Sequence, residues 1–188
     1  MKSCIVFLCM LVACTISTVQ AQHPVSFFEE HIDFVLDSAN FSINGIYSFH
    51  NGSDQPVNEH IIFPFADKTS GMDSIRIVNL NTLKKIPFIT LERSVSFEFE
   101  IQPKDTIDLN IFYRQKIATK NTYIITSTQS WGKPLETAVY TLTTEKNLRI
   151  KSFSYTPDSV RVNNDKRIYS WSKHDFMPKI DFEITIDK

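Results

Sequence analysis

Residues 94–113 constrain the fold most tightly. Val95, Phe97, Phe99 and Ile101 alternate with Ser94, Ser96, Glu98 and Glu100, and Ile107, Leu109, Ile111 and Tyr113 alternate with Thr106, Asp108 and Asn110. Successive side chains of a strand point to opposite faces, so each run reads as a strand with one face in a core and the other in water. Gln102-Pro-Lys-Asp105 turns between them, and the pattern predicts a hairpin whose apolar faces point the same way. A one-residue slip would expose four large side chains at about 1.5–3 kcal/mol each, which makes the register firm.

The stretch 41–65 predicts a second hairpin. Phe41, Ile43, Tyr47 and Phe49 share one face of a strand, and Asn51-Gly-Ser-Asp54 supplies residues that tolerate positive φ. The second arm, Val57 to Phe63, ends at Pro64, which cannot donate to a ladder. Tyr47-Ser-Phe-His-Asn51 followed by Phe63-Pro-Phe65 resembles the opening of several exported β-sandwich families, including the vault and inter-alpha-trypsin domain. That resemblance implies a fold and carries no functional residues.

Residues 24–36 fit two patterns. Ser26-Phe-Phe-Glu29 has the form of a helix capping box, whereas Ile32, Phe34 and Leu36 alternate as a strand would. A strand is favoured because the following segment is extended and consecutive strands tend to pair. Further strands are expected at 122–128, 136–143, 148–155, 166–171 and 180–186, the last with Ile180, Phe182, Ile184 and Ile186 inward. Between Ile150 and Phe153 the apolar set changes parity, which suggests a bulge near Lys151-Ser152 or a strand covered on both faces. About a dozen short strands with regular turn signals and no long helix argue for an all-β fold, an antiparallel β-sandwich over residues 22–188. A sub-boundary near residues 116–121 is left open.

The opening residues, with Lys2 before the apolar run Cys4 to Ala13, read as a signal peptide over residues 1–21. Val19-Gln20-Ala21 suits cleavage before Gln22, whereas Leu11-Val12-Ala13-Cys14 resembles a lipoprotein signal that would leave Cys14 acylated and the domain tethered by lipid. Cys4, Cys9 and Cys14 all lie in this segment, so the domain itself is held by its hydrophobic core without disulfides. After cleavage 19 basic and 21 acidic side chains remain, with no basic cluster, which argues against a nucleic-acid partner. The expected location is periplasmic, cell-surface or secreted, in a Gram-negative bacterium.

Chemical constellations are sparse. The four glycines fall in no phosphate-cradling spacing, no serine sits in a nucleophile elbow, and no cofactor is implied. His50 and His60 are weak metal candidates, since a hairpin would bring their strand ends together near Asp54 and Glu59; polar residues flanking a turn are the plainer account. Trp131, Trp171, Tyr155 and Tyr169 are the candidates for ligand contact, because an aromatic face suits a sugar ring as well as an interface. Asp37-Ser38-Ala39, Asp73-Ser74-Ile75, Asp105-Thr106-Ile107 and Asp158-Ser159-Val160 share a form that resembles a bacterial O-glycosylation signal, with turn chemistry as the simpler explanation. The expectation is an exported, non-enzymatic module for protein interaction or envelope assembly. The alternative is a carbohydrate-binding module using exposed aromatics.

Overall fold

The computed structural model describes residues 23–187. Among them the chain forms β1 (Val25–Leu36), β2 (Asn40–Asn51), β3 (Val57–Pro64), β4 (Met72–Asn79), β5 (Lys84–Lys85), β6 (Phe88–Thr90) and β7 (Ser94–Ile101). It continues with β8 (Thr106–Lys116), β9 (Lys120–Tyr123), β10 (Leu135–Glu145), β11 (Ile150–Phe153), β12 (Ser159–Asn163), β13 (Lys166–Phe176) and β14 (Phe182–Ile186). The fold is all-β, and no helix among the described residues is long and apolar enough to cross a membrane. The signal-peptide reading, with Cys14, lies outside the described residues.

Eight strands make one sheet in the order β12-β13-β10-β1-β2-β8-β4-β5, and two three-stranded sheets, β3-β7-β6 and β11-β14-β9, cover it. Both covers lie on the same face. Phe34 of β1 is paired with Ile43 of β2, which is paired with Tyr113 of β8, so these side chains point the same way. Phe34 meets Tyr123 and Phe182 at 5.4 and 4.9 Å between ring centroids, while Tyr113 meets Phe65 at 4.6 Å, at the end of β3. Strands from before and after residues 116–121 share the large sheet. Its β1–β10 pair is parallel, with Ile32 opposite Tyr140, which alternation alone does not reveal.

Neither expected hairpin forms. β2 pairs with β8 in the large sheet and β3 pairs with β7 in a covering sheet, so the connections β2–β3 and β7–β8 are arches that carry the chain from one layer to the other. Buried Asn51 ties the arches together. Its Nδ2 donates to the carbonyls of Gln55, Ile101 and Gln102 at 2.8, 3.1 and 3.1 Å, its Oδ1 accepts from the Ser53 amide and hydroxyl, and its own amide donates to Asp105. Lys104 adds a bond from its ammonium to the Gly52 carbonyl at 2.6 Å. Inward alternation survives because arch and hairpin arms both bury one face. In an arch those faces oppose each other across the core.

The ambiguous segment is strand β1, with a register shift between Phe27 and Glu29, and β11 shifts register between Ile150 and Ser152 as the parity change suggested. The strand expected over 122–128 stops at Tyr123. Asp181 Oδ1 accepts from the amides of Ile125 and Thr126 and from the Thr126 hydroxyl at 3.2, 3.1 and 2.7 Å, and a short 3-10 helix, Thr126–Trp131, follows. Ile180, expected inward, precedes the last strand and is exposed.

Replacing Asn51 by Ala removes a donor from three carbonyls at the crossing of the arches, of which Gln55 keeps the Ser53 hydroxyl and Gln102 the Asp105 amide. The expected destabilisation is about 2–4 kcal/mol, read from urea unfolding; a loss below about 0.5 kcal/mol would show that the clasp is not what holds the arches.

Candidate functional site

The two covering sheets leave a slot between them. β3 is the edge of one and β9 the edge of the other, and a cavity of about 410 Å³ lies between β3 and the segment from Tyr123 to Trp131. His60 to Pro64 line it consecutively, as a strand edge does, since a strand face would present every second residue. Phe27, Glu30, Tyr47 and Phe49, from β1 and β2 of the large sheet, also line it and form its floor.

Glu30 is the unusual member. It falls in step with Ile32, Phe34 and Leu36 on the inward face of β1 and is only 2% exposed. Tyr140 of β10 donates to its Oε1. Tyr47, directly opposite Glu30 on β2, exchanges a hydroxyl hydrogen bond of 2.9 Å with Tyr123 of β9. Gly45 makes this arrangement possible: a Cβ there would lie 2.5 Å from the Tyr47 hydroxyl. Burial pushes the Glu30 carboxyl up to about 7, against the opposing effect of hydrogen bonds from Tyr140 and Tyr123. Burial, reinforced by the charge on Glu30, holds the phenols of Tyr47, Tyr123 and Tyr140 well above their ordinary range, so they stay neutral donors.

A second carboxyl stands on the wall. The Glu59 side chain is 11% exposed and its Oε2 lies 3.6 Å from His23 Nε2. Burial raises its pKa, with His23 and His60 pulling the other way. Trp131, half-buried at the end of the 3-10 helix, lies 5.4 Å from Phe49 and 6.0 Å from Phe27 and meets the His23 ring edge-on at 5.8 Å. Gly132, at φ 70, ends that helix in the left-handed region and reverses the chain there.

The aromatic residues singled out from the sequence do not share one surface. Trp131 lines the slot, but Trp171 is 1% exposed, donates through Nε1 to the Tyr155 carbonyl at 2.8 Å and packs on Phe182 at 4.9 Å. Tyr169 is buried beside it, so neither offers a face to a sugar; both point inward from β13 towards the β11-β14-β9 sheet. Tyr155 is half-buried, its hydroxyl bound to the Ile180 carbonyl. His50 and His60 are separated by the arch: His50 shares a 3.3 Å bond with Thr106 and His60 a 2.7 Å bond with Ser96. No group of three or more metal-ligating side chains is present among the described residues.

Ser38, Ser74 and Ser159 are exposed, whereas Thr106 is half-buried against His50. The aspartates before them serve the fold. Asp37 accepts from the amides of Ala39 and Asn40, Asp73 pairs with Arg114, Asp105 accepts from the Thr106 amide, and Asp158 holds the Ser172 amide and Lys173.

The position of Glu30 makes stability depend on pH. The folded chain keeps this proton up to about pH 7, whereas an unfolded carboxyl releases it near 4.5. In that window the folded state binds more protons, so stability falls as pH rises from about 4.5 to about 7, by about 3 kcal/mol in total. Glu30→Gln keeps the shape without the charge and should gain that amount on the wild type between pH 4.5 and 8 in urea unfolding. A difference that is constant across the range would contradict a raised Glu30.

No family model and no curated protein matches the sequence. Solved structures match the fold. One is a proposed nutrient-binding protein from Legionella pneumophila, at 12% identity and TM-score 0.68 over 88% of this chain and 67% of that one. Another is an M1 zinc metallopeptidase from Deinococcus radiodurans bound to a Tyr-Ser-Ala substrate, at 9% identity and TM-score 0.54 over 87% of this chain and 43% of that one. A two-domain M1 zinc metallopeptidase bound to L-tryptophan gives 8% identity and TM-score 0.53, again over 43% of its length. The chain therefore spans less than half of the peptidases, and the likeness is one of fold.

Proposed function

We propose that this chain is a non-enzymatic binding module of an exported protein, and that the slot between β3 and β9 receives an extended peptide segment of a partner. The carrying observation is the slot itself, bounded by the β3 edge on one side and by Tyr123 and the 3-10 helix after β9 on the other, and floored by the aromatic face of the large sheet. A sheet edge has backbone donors and acceptors without a strand partner, and adding a strand is a recurrent mode of peptide capture. A volume of about 410 Å³ lies within the usual size of ligand pockets. Export is supported by the form of residues 1–21, and a binding role is compatible with the fold shared with a proposed nutrient-binding protein.

A glycan is the second reading, favoured by Trp131, whose half-buried ring lies in the slot. Parallel screening of short-peptide and glycan arrays separates the two. Ser127 is exposed on the slot wall, and Ser127→Trp fills the opening without disturbing the floor. Peptide binding by the wild type, weakened at least about tenfold in Ser127→Trp, is the expected result, corresponding to about 1.4 kcal/mol of lost affinity. Glycan binding blocked by the same change would transfer the slot to the second reading, and binding by either class that ignores the change would remove the slot from the account.

A further inference from the structure

We infer that the slot selects a positively charged amine, an ammonium group of the bound peptide seated on the Glu30 carboxylate at its floor. This deepens the peptide-capture reading and rests on it. Among the described residues the lining contains two carboxyl groups, Glu30 and Glu59, and neither Lys nor Arg. Around Glu30 the nearest polar groups are phenols: Tyr140 from β10, Tyr47 from β2 and Tyr123 from β9. Phenols donate hydrogen bonds but bring no positive charge, so an ionised Glu30 has no counter-charge of its own.

An uncompensated buried carboxylate is costly, and the protein avoids it by keeping the group protonated to about pH 7. A ligand ammonium removes the need. It brings the missing charge and three donors, while Phe27, Phe49 and Trp131 beside it present the aromatic surface to which cations are attracted. An anionic ligand group would meet two acidic side chains. A neutral one would leave Glu30 protonated and gain no ion pair.

The proton balance follows. Below pH 7 the protonated Glu30 and the ligand ammonium become a carboxylate–ammonium pair, and one proton passes to the buffer. Above pH 7 no proton is released. Affinity should therefore rise about tenfold per pH unit up to about 7; for a lysine ammonium it then levels off, whereas for a chain terminus it turns down towards about pH 8, where the amine itself loses its proton. The other titratable groups of the slot are Glu59, His60 and His23, clustered on the β3 wall; the double variant His23→Gln/His60→Gln isolates the Glu30 step from the imidazoles.

The ammonium can come from a chain terminus or a lysine side chain. Calorimetry between pH 5 and pH 8 with three peptides distinguishes them: Ala-Ala-Ala amide, acetyl-Ala-Lys-Ala amide, and the neutral acetyl-Ala-Ala-Ala amide. At least one charged peptide is expected to bind tenfold or more tightly than the neutral one at pH 7.5, with the pH dependence above. Glu30→Gln should lose that advantage and flatten the profile while unfolding with the wild-type midpoint at about pH 4, where Glu30 is protonated in both folded and unfolded chains. The double histidine variant, whatever its overall affinity, should keep the preference for charge and the pH step. Equal binding of the neutral peptide, blocked by Ser127→Trp, would overturn the ammonium site and leave peptide capture standing. Charge-selective binding that Glu30→Gln does not alter would also overturn it, and absence of all peptide binding would overturn both.

Discussion

The structure depends on covering one face of an eight-stranded sheet. Phe34, Phe41, Ile43, Tyr47, Phe49, Leu109, Ile111, Tyr113, Tyr140 and Leu142 all belong to that sheet and are buried. Each large side chain of this kind contributes about 1.5–3 kcal/mol when taken from water. With no cysteine beyond Cys14 the domain has no disulfide to add to this burial. Two three-stranded sheets provide the cover, one drawn from residues between β2 and β8 and one assembled from β9, β11 and β14. The gap between them is where the inward face of the large sheet reaches a cavity, and Glu30 occupies that face.

The Asn51 clasp makes such a cover attainable. Two arches cross the layers side by side, and one buried amide side chain donates to carbonyls of both, Gln55 in one and Ile101 and Gln102 at the start of the other. Had the chain turned as hairpins, β3 and β7 would extend the large sheet and leave its aromatic face bare. The arches place them over it, which also sets β3 as the edge that lines the slot.

Alternation made the inward faces of β2, β7, β8 and β14 legible in the sequence, because burial on one side of a ribbon imposes a period of two whatever the ribbon pairs with. For the same reason it says nothing about partners. Arches, the parallel β1–β10 pair and the end of β9 at the Asp181 carboxylate depend on groups distant in sequence. Turn residues at Asn51 to Asp54 signalled a reversal but not the layer in which the chain resumes. Glu30 had a readable mark, a carboxylate in phase with Ile32, Phe34 and Leu36, but the bulge after Phe27 broke the longer run that would have made it conspicuous. Trp131 was marked by its turn context, while the burial of Trp171 followed from packing across to Phe182.

The slot thus joins three properties in one place: the edge of β3, unpaired among the described residues, an aromatic floor, and a carboxyl whose pKa burial raises to about 7. Perturbed ionisable groups inside cavities are a frequent mark of functional sites. Here the perturbation has a definite cause, burial on the floor of a gap between two covering sheets. The most direct measurement of that cause is a carbon-13 NMR titration of the glutamate side-chain carboxyls. One resonance, missing from Glu30→Gln, should titrate with a midpoint of about 7. A Glu30 resonance titrating near 4.5, as an exposed glutamate does, would contradict the account.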